Sequence, residues 1–498
     1  MINRGIWALL GVSSLTVLAC GGGGSHKDND ASLDPILVPP DTTAIDGAVA
    51  GPDDASVADA ADDAGDMTSD GALSDAAFSE DAEANPDDGG ALGDAGDTAP
   101  GCDADNGGLT LPRGFCASVF ATGLGKARHL TVSPAGDVYV AIAGAANAGP
   151  SFIALRDEDM DGKADTKVSV GSVGGNGIAW AEDRLYFASN SQVFRYDTPN
   201  GTLAPTGDPL LLVTGLPDSP DHAAKSIVYA EHHVYVNIGS TSNSCQVQNR
   251  VLESPGIDPC PELATRAGVW KFAADWPEQR QVDGLRFATG SRNLNALARS
   301  GENGHLYAAQ NGRDQLFENW PKLFSADDDQ RLPGEGIFEL NLHSDLGWPY
   351  CYFDPQAGKN VLAPEYGGDG EQVGRCANVA TPSTWLPAHW APLGMVFYER
   401  EQFPLHYRHG AFIATHGSRF APSASTPLPG YNVVFIPFAD GKPTAGYERF
   451  AEGFAGDGVP LPEAAQHRPV GVAVGPDGAL FISDDQGGQV WRVVYRGP

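Results

Sequence analysis

Three short stretches of this chain concentrate groups able to do chemistry: Asp221-His222, Gly290-Ser-Arg-Asn293, and Ala309-Gln-Asn-Gly-Arg-Asp314. A histidine can take the proton of a substrate hydroxyl near neutral pH, and a neighbouring carboxylate can orient the ring and raise its basicity. His222 is therefore a candidate general base and Asp221 its candidate support. A loop histidine can equally be structural or merely exposed, and the residues alone leave that reading open. Arg292 and Asn293 offer N–H donors to an anionic or quinone oxygen. The turn from Gln310 to Asp314 is rich in carbonyls suited to a hard cation, with Asn311, Gly312 and Asp314 as candidate ligands. Ordinary turn chemistry would use the same residues. A separate run, Asp157-Glu-Asp-Met-Asp-Gly162, alternates carboxylates and places Gly sixth. Asp157, Asp159 and Asp161 could converge on one Ca²⁺ there, with Asp165 as a further ligand. Val168 stands where an EF-hand loop has its Glu, so a structural ion in a loop is the expectation, with a solvated acidic turn as the other reading.

Groups so far apart in sequence need a scaffold to gather them, and the sequence repeats one. An apolar strand, a Gly, Asp or Asn turn and a second apolar-aromatic strand recur at Leu130–Ile142, Ile178–Ala188, Ile227–Ile238, Leu297–Ala309, Met395–Thr415 and Val472–Ser483. Each copy reads as a hairpin with period-2 alternation, which buries one face between neighbouring units. Repetition at this scale marks a β-propeller, here of six blades. The expected fold class is all-β, a six-bladed β-propeller preceded by a lipoprotein signal peptide and a disordered acidic linker. Successive copies begin about 48, 49, 70, 98 and 77 residues apart, so insertions fall in the later blades. Those insertions hold Cys245 to Cys260 and Trp348 to Cys376 and are expected over one end of the channel. The strand from Phe115 to Leu124 is expected to complete the last blade beside Gln489 to Tyr495, closing the ring. The functional residues should sit on the axis, next to the ends of the repeated strands.

Outside the repeats, residues 1–19 carry Arg4, an apolar stretch and the sequence Val17-Leu18-Ala19 before Cys20. These are the features of a lipoprotein signal peptide that makes Cys20 the lipidated N-terminus. Gly21 after Cys20 favours the outer membrane, on its periplasmic face or the cell surface, for an exported bacterial lipoprotein. Residues 20–105 form a tether rich in Ala, Asp and Gly. From Gly21 to Asp105 there are 22 acidic residues and one Lys, so this stretch carries −21 of the formal −33. With so little to bury, it is expected to be disordered. The acidity, with no basic stripe anywhere, argues against nucleic acid as a partner, and membrane contact is expected through the lipid anchor only. The propeller is assigned to residues 106–498. The globular region begins near Cys102, and its cysteines fall into sequence-close pairs, Cys102 with Cys116, Cys245 with Cys260 and Cys351 with Cys376, in a compartment that permits oxidation; a zinc site is the alternative, which no CxxC or clustered Cys/His spacing supports. Six cysteines allow 15 connectivities, so proximity alone selects this one.

The segments LPRGFCASVFATGL, DHAAKSI, VYVNIGS, GSRNLNALA, AAQNGRDQL, GWPYCY, APLGMVFY, ATHGSR and HRPVGVAVGPDGALFISDDQGG occur in order along the six repeats. In this the chain resembles the PQQ-dependent soluble aldose (glucose) and sorbosone dehydrogenase-like quinoproteins over Leu111 to Gly497. The resemblance implies pyrroloquinoline quinone (PQQ) above a Ca²⁺ ion in an axial pocket, and oxidation of a sugar, aldehyde or related polyol by hydride transfer. His222 would be the base and Asp221 its support. Arg292 and Asn293 would face the quinone oxygens, Gln310 and the carbonyls of Asn311 and Gly312 would lie near the metal, and Arg468 would meet a cofactor carboxylate. Electrons would leave to a quinone or cytochrome acceptor. The glucose-oxidising members have a Gly-Pro pair in the metal turn, a lysine in the fifth blade and a second arginine in the sixth. Here those neighbourhoods read Asn311-Gly312, Thr415-His416-Gly417-Ser418-Arg419 and Gln466-His467-Arg468. His416 or Arg419 would have to supply the missing charge, which favours the sorbosone-like branch. Trp385 or His389 could line the pocket or simply fill a blade. The competing readings are a non-catalytic binding or scaffolding propeller that has lost the cofactor, and a propeller lactonase, for which no converging carboxylate set is evident.

Overall fold

The computed structural model describes residues 101–498 except 145–148, 199–200, 220, 424–428, 459 and 498. The signal-peptide and tether assignments, Cys20 included, lie outside the described residues. Six sheets, each built on antiparallel strands, follow one another along the chain, with a two-residue parallel strand added at the outer edge of the second and of the third. Blade 1 runs from Ala127–Val132 to Thr166–Val170, and blade 2 from Gly175–Ala181 to Leu210–Thr214. Blade 3 runs from Ile227–Ala230 to Leu285–Thr289, blade 4 from Ala296–Arg299 to Thr384–Leu386, and blade 5 from Pro392–Tyr398 to Glu448–Ala451. Blade 6 takes Pro469–Val474, Leu480–Asp484 and Gln489–Tyr495 and completes itself with Phe115–Ala121, paired from Phe115 with Tyr495 to Ala121 with Val490. All six repeated hairpins are the two innermost strands of a blade, and the expected ring closure is present. No helix among the described residues is long and apolar enough to cross a membrane.

The sequence of a second strand such as Val138–Ile142, VYVAI, shows why the ring holds. All five residues are buried. Tyr139 and Ala141 pack with Phe152, Leu185 and Phe187 between blades 1 and 2, while Val138 and Val140 pack with Phe481 and Val490 between blades 6 and 1. Successive side chains of a strand point to opposite faces, so a strand covered on both sides must be apolar throughout. Every junction between adjacent blades carries its own apolar cluster of this kind.

Near the axis the blades converge, and inner strands use glycine for that approach. A Cβ at Gly394 would stand 2.3 Å from the Val470 carbonyl oxygen, and one at Gly471 would stand 2.8 Å from that of Arg128. The inner strands enclose an axial channel of about 470 Å³, lined by residues such as His129, Thr131, Ala179, Val228, Ala298 and Val474.

The three disulfides have the pairing that proximity suggested. The insertion of blade 3 and that of blade 4 pack together. Trp348 joins Cys245 and Cys260 in one apolar cluster, and its Nε1 donates to the Asn243 carbonyl at 2.9 Å. Ser244 Oγ donates to Glu365 at 3.0 Å. Both insertions leave from the end of the channel at which the inner strands begin, called the mouth below.

Candidate active site at the channel mouth

His222 sits five residues before the inner strand of blade 3, with φ +52°. Its Nδ1 lies 3.0 Å from the Ser240 carbonyl oxygen and 3.1 Å from Ser240 Oγ. A carbonyl can only accept, so Nδ1 carries the proton and donates it. Ser240 Oγ in turn donates to the Ser242 carbonyl at 2.7 Å, which turns its lone pairs towards the ring. Nε2 is thereby the lone-pair nitrogen. Burial, and then the Arg292 guanidinium, push the His222 pKa down to about 3, so the ring is neutral throughout the physiological range. The support expected of Asp221 falls instead to Ser240, because among the described contacts Asp221 contributes only its backbone carbonyl, to Ser219 Oγ.

Arg292 lies beside this histidine, since the Ser240 amide donates to the Arg292 carbonyl at 2.8 Å. Its Nη2 donates to Asp314 Oδ2 at 2.8 Å, and its own amide donates to Gln310 Oε1 at 3.1 Å. Asp314 also meets His389 Nδ1 at 3.4 Å. Burial opposes the Asp314 charge, but Arg292 and His389 hold its carboxyl well below the usual range. Asp314 is therefore the counter-ion of Arg292 and His389 rather than a free metal ligand, which corrects the reading of the turn. Asn293 accepts from Asn237 Nδ2 at 3.1 Å and, through its carbonyl, from the Asn311 amide at 2.9 Å.

A polar ring floors the mouth, with one residue from each blade. His416 Nε2 is 2.8 Å from Asp485 Oδ1, and Arg128 Nη1 is 2.6 Å from Asp485 Oδ2. Arg128 Nε donates to Asn176 Oδ1 at 2.8 Å, Asn176 Nδ2 to Ser226 Oγ at 3.2 Å, and Ser226 Oγ to Asn295 Oδ1 at 3.2 Å. Arg468 stands next to the ring, donating from Nε to the His416 carbonyl at 3.0 Å and lying 5.7 Å from the Tyr431 ring centre. Among the described contacts its guanidinium meets carbonyl oxygens and no carboxylate, while Asp485 and Glu463 act on it only from a distance.

Several expectations are relocated by the structure. Trp385 lies on the outermost strand of blade 4, packed on Phe353 and 40% exposed, so it does not line the axis. His389 does belong to the mouth. Arg419 is tied to Asp329 at 3.2 Å and Glu318 at 3.4 Å, and lies over Phe420, so its charge is spent on the blade 4 insertion. In the acidic loop, oxygens of Asp157, Asp159 and Asp165 lie within 4.8 Å of one another, whereas Asp161 turns away to accept from the Lys163 amide at 2.8 Å. Residues that the sequence reading did not name include Ser240, Arg128, Asp485 and Glu335. Glu335 is buried, accepts from the Gly312 amide at 2.8 Å, and is pushed up by burial to about 7.

Lys225, one residue before the ring member Ser226, is fully buried, and its Nζ donates to the Ala223 carbonyl at 2.5 Å. Burial lowers its pKa from 10.5 to about 8. Between those values the unfolded chain holds a proton that the folded chain has released, so stability rises with pH across that window. Below it the cost is on the order of 3 kcal/mol. Lys225→Met is expected to raise the melting temperature at pH 7 and to flatten this rise. A lower melting temperature at pH 7 would contradict that account of the buried ammonium.

The fold and the mouth define a six-bladed propeller with a polar, largely buried site at one end of its axis. The chain belongs to the TrAA12-like family, whose model matches residues 109–496. It is similar in structure to a Trichoderma reesei carbohydrate-active enzyme of family AA12, at 18% identity over 78% of this chain and 98% of that one, with a TM-score of 0.63. It is also similar to the PQQ domain of pyranose dehydrogenase from Coprinopsis cinerea in its holo form, at 20% identity over 78% of this chain and 97% of that one, with a TM-score of 0.62. An uncharacterized protein of Borreliella burgdorferi is 31% identical over 193 residues, which is 38% of this chain and 44% of that protein.

Proposed function

We propose that this protein is an exported, lipid-anchored quinoprotein that oxidises a sugar, aldehyde or related polyol with PQQ and Ca²⁺, and passes the electrons to a quinone or cytochrome acceptor. The observation that carries the reading is His222, whose ring is locked by Ser240 with Nε2 as acceptor at the mouth of the channel. Family membership and the likeness to a PQQ domain support it.

The donor set fits the cofactor. PQQ is a tricarboxylate, and Arg468 offers a guanidinium that no described carboxylate neutralises, with Arg128 and His416 beside it. Arg292 and Asn293 would face the quinone edge. The metal turn fits a hard cation as well. Asn311 Oδ1 is buried without a partner, and Glu335 is a buried carboxylate met by a single described donor, the Gly312 amide. Both oxygens suit Ca²⁺. When bound, the quinone supplies the two-electron acceptor and the ion a Lewis acid.

The chain's own contribution is positioning and proton transfer. His222 Nε2 removes the substrate hydroxyl proton, and Ser240 stabilises the imidazolium through its carbonyl and hydroxyl. Arg292 stays oriented by Asp314, and the polar ring separates the mouth from the channel below. Because the His222 pKa is depressed to about 3, its base form is present at every pH above that value. Activity attributable to this group is expected to stay flat from pH 5 to 8, and an acidic limb near pH 6.5 would contradict it. The function itself is tested by dye reduction over a panel of sugars and aldehydes. Reduction that requires both PQQ and Ca²⁺ supports the quinoprotein, and failure of every substrate with the cofactor bound favours a binding propeller.

A further inference from the structure

We propose that a cavity buried between Arg292 and Arg313, beneath the metal turn, binds one halide-sized anion. The cavity measures about 20 Å³ and is lined by Arg292, Arg313, Tyr352, Ser244 and the apolar surfaces of Trp348 and Phe353. That space suits a single small occupant. Arg292, Arg313 and Tyr352 are each 5% exposed or less.

The donors around it are only partly used. Arg313 gives Nη1 to Glu365, and Glu365 is completed by Ser244 Oγ and by Trp320 Nε1, each at 3.0 Å. Arg292 gives Nη2 to Asp314. Arg313 Nε and Nη2, Arg292 Nε and Tyr352 Oη remain buried with no hydrogen-bond partner in the protein. An unmade hydrogen bond at a buried donor is costly, and the three side chains that carry these four atoms all line one small space.

The chemistry of the lining selects the class of ligand. Each of these four atoms can donate, three of them belong to guanidinium groups, and the remaining wall is mostly ring and proline carbon. A monatomic anion accepts from several N–H and O–H groups at once and needs no acceptor in return. A water molecule must also place two hydrogens, and among these four side-chain atoms only Tyr352 Oη can accept one. The size excludes sulfate, phosphate and carboxylates. Chloride is the available ion of this class, and bromide is its anomalous probe.

The test uses the full chain expressed in the exported, disulfide-forming state and crystallised from sodium bromide. The expected result is one anomalous peak in the cavity, within hydrogen-bond reach of Arg313 and Tyr352. In solution the melting temperature should rise with the logarithm of bromide concentration, relative to gluconate at equal ionic strength. Removing one arginine would strand a buried carboxylate and could unfold the chain, so the variant is Tyr352→Phe. It should fold and need several-fold more bromide for the same rise. Ordinary density without anomalous signal would assign the cavity to water and overturn the proposal. Equal melting curves in bromide and gluconate would overturn it too.

Discussion

His222→Asn is expected to lower kcat for dye reduction by about 10²- to 10⁴-fold, the usual contribution of a positioned general base, while PQQ affinity changes by no more than a few-fold. Asparagine is the informative replacement because His222 has φ +52°, a conformation that Asn adopts more readily than Ala. The variant therefore keeps the loop and loses the base. A steady-state assay together with a PQQ titration on the same preparation separates the outcomes. Activity within ten-fold of the parent would remove His222 from the chemistry. Lost affinity at unchanged kcat would make it a cofactor contact. A related effect should follow at Gly239, where a Cβ would stand 2.6 Å from His222 Cβ and 3.1 Å from Asn293 Oδ1. Gly239→Ala is expected to displace the base and reduce kcat without touching a reacting atom.

Starting the chain at Leu124 is expected to abolish cooperative folding. The strand Phe115–Ala121 is the outer strand of blade 6 and joins the first described residues to the last. Phe115 meets the rings of Phe403, Tyr407, Phe450 and Tyr495 at centroid distances of 5.2 Å or less, and Cys116 is bonded to Cys102. Without this strand Gln489–Tyr495 becomes an open edge, and the clusters on both sides of blade 6 lose a wall. The milder Phe115→Ala should still fold and cost about 3–5 kcal/mol. Chemical denaturation distinguishes the two: a sigmoidal transition from the shortened chain would show that the ring closes without its strap.

The scaffold was legible because a propeller repeats its grammar. Each inner hairpin must present apolar residues to both neighbours, and that requirement writes the same pattern six times. The disulfides were legible because each closes a short local loop. Much of the mouth was not, because it is assembled by contacts between blades. Arg128 and Asp485 are 357 residues apart and become partners only when the first and last blades meet. Ser240 holds His222 across a strand pair, and Glu335 reaches Gly312 from the start of another strand, so neither has a local signal. Trp385 was misplaced for the converse reason. It precedes the fifth repeat closely in sequence, yet the three-residue strand Thr384–Leu386 closes the outside of blade 4. Asp314 shows how a turn suited to a cation can be read wrongly when a buried arginine already claims its carboxylate.

The most direct measurement is a calorimetric titration of PQQ into residues 101–498 in the presence of Ca²⁺, beside the same titration with Arg468→Met. The expected result is saturable one-to-one binding that is weakened by EDTA and reduced at least ten-fold in the variant, because Arg468 is the guanidinium at the mouth that no carboxylate ion-pairs among the described contacts. No heat and no shift in PQQ absorbance with folded protein would contradict it, and the mouth would then belong to a propeller that binds something else.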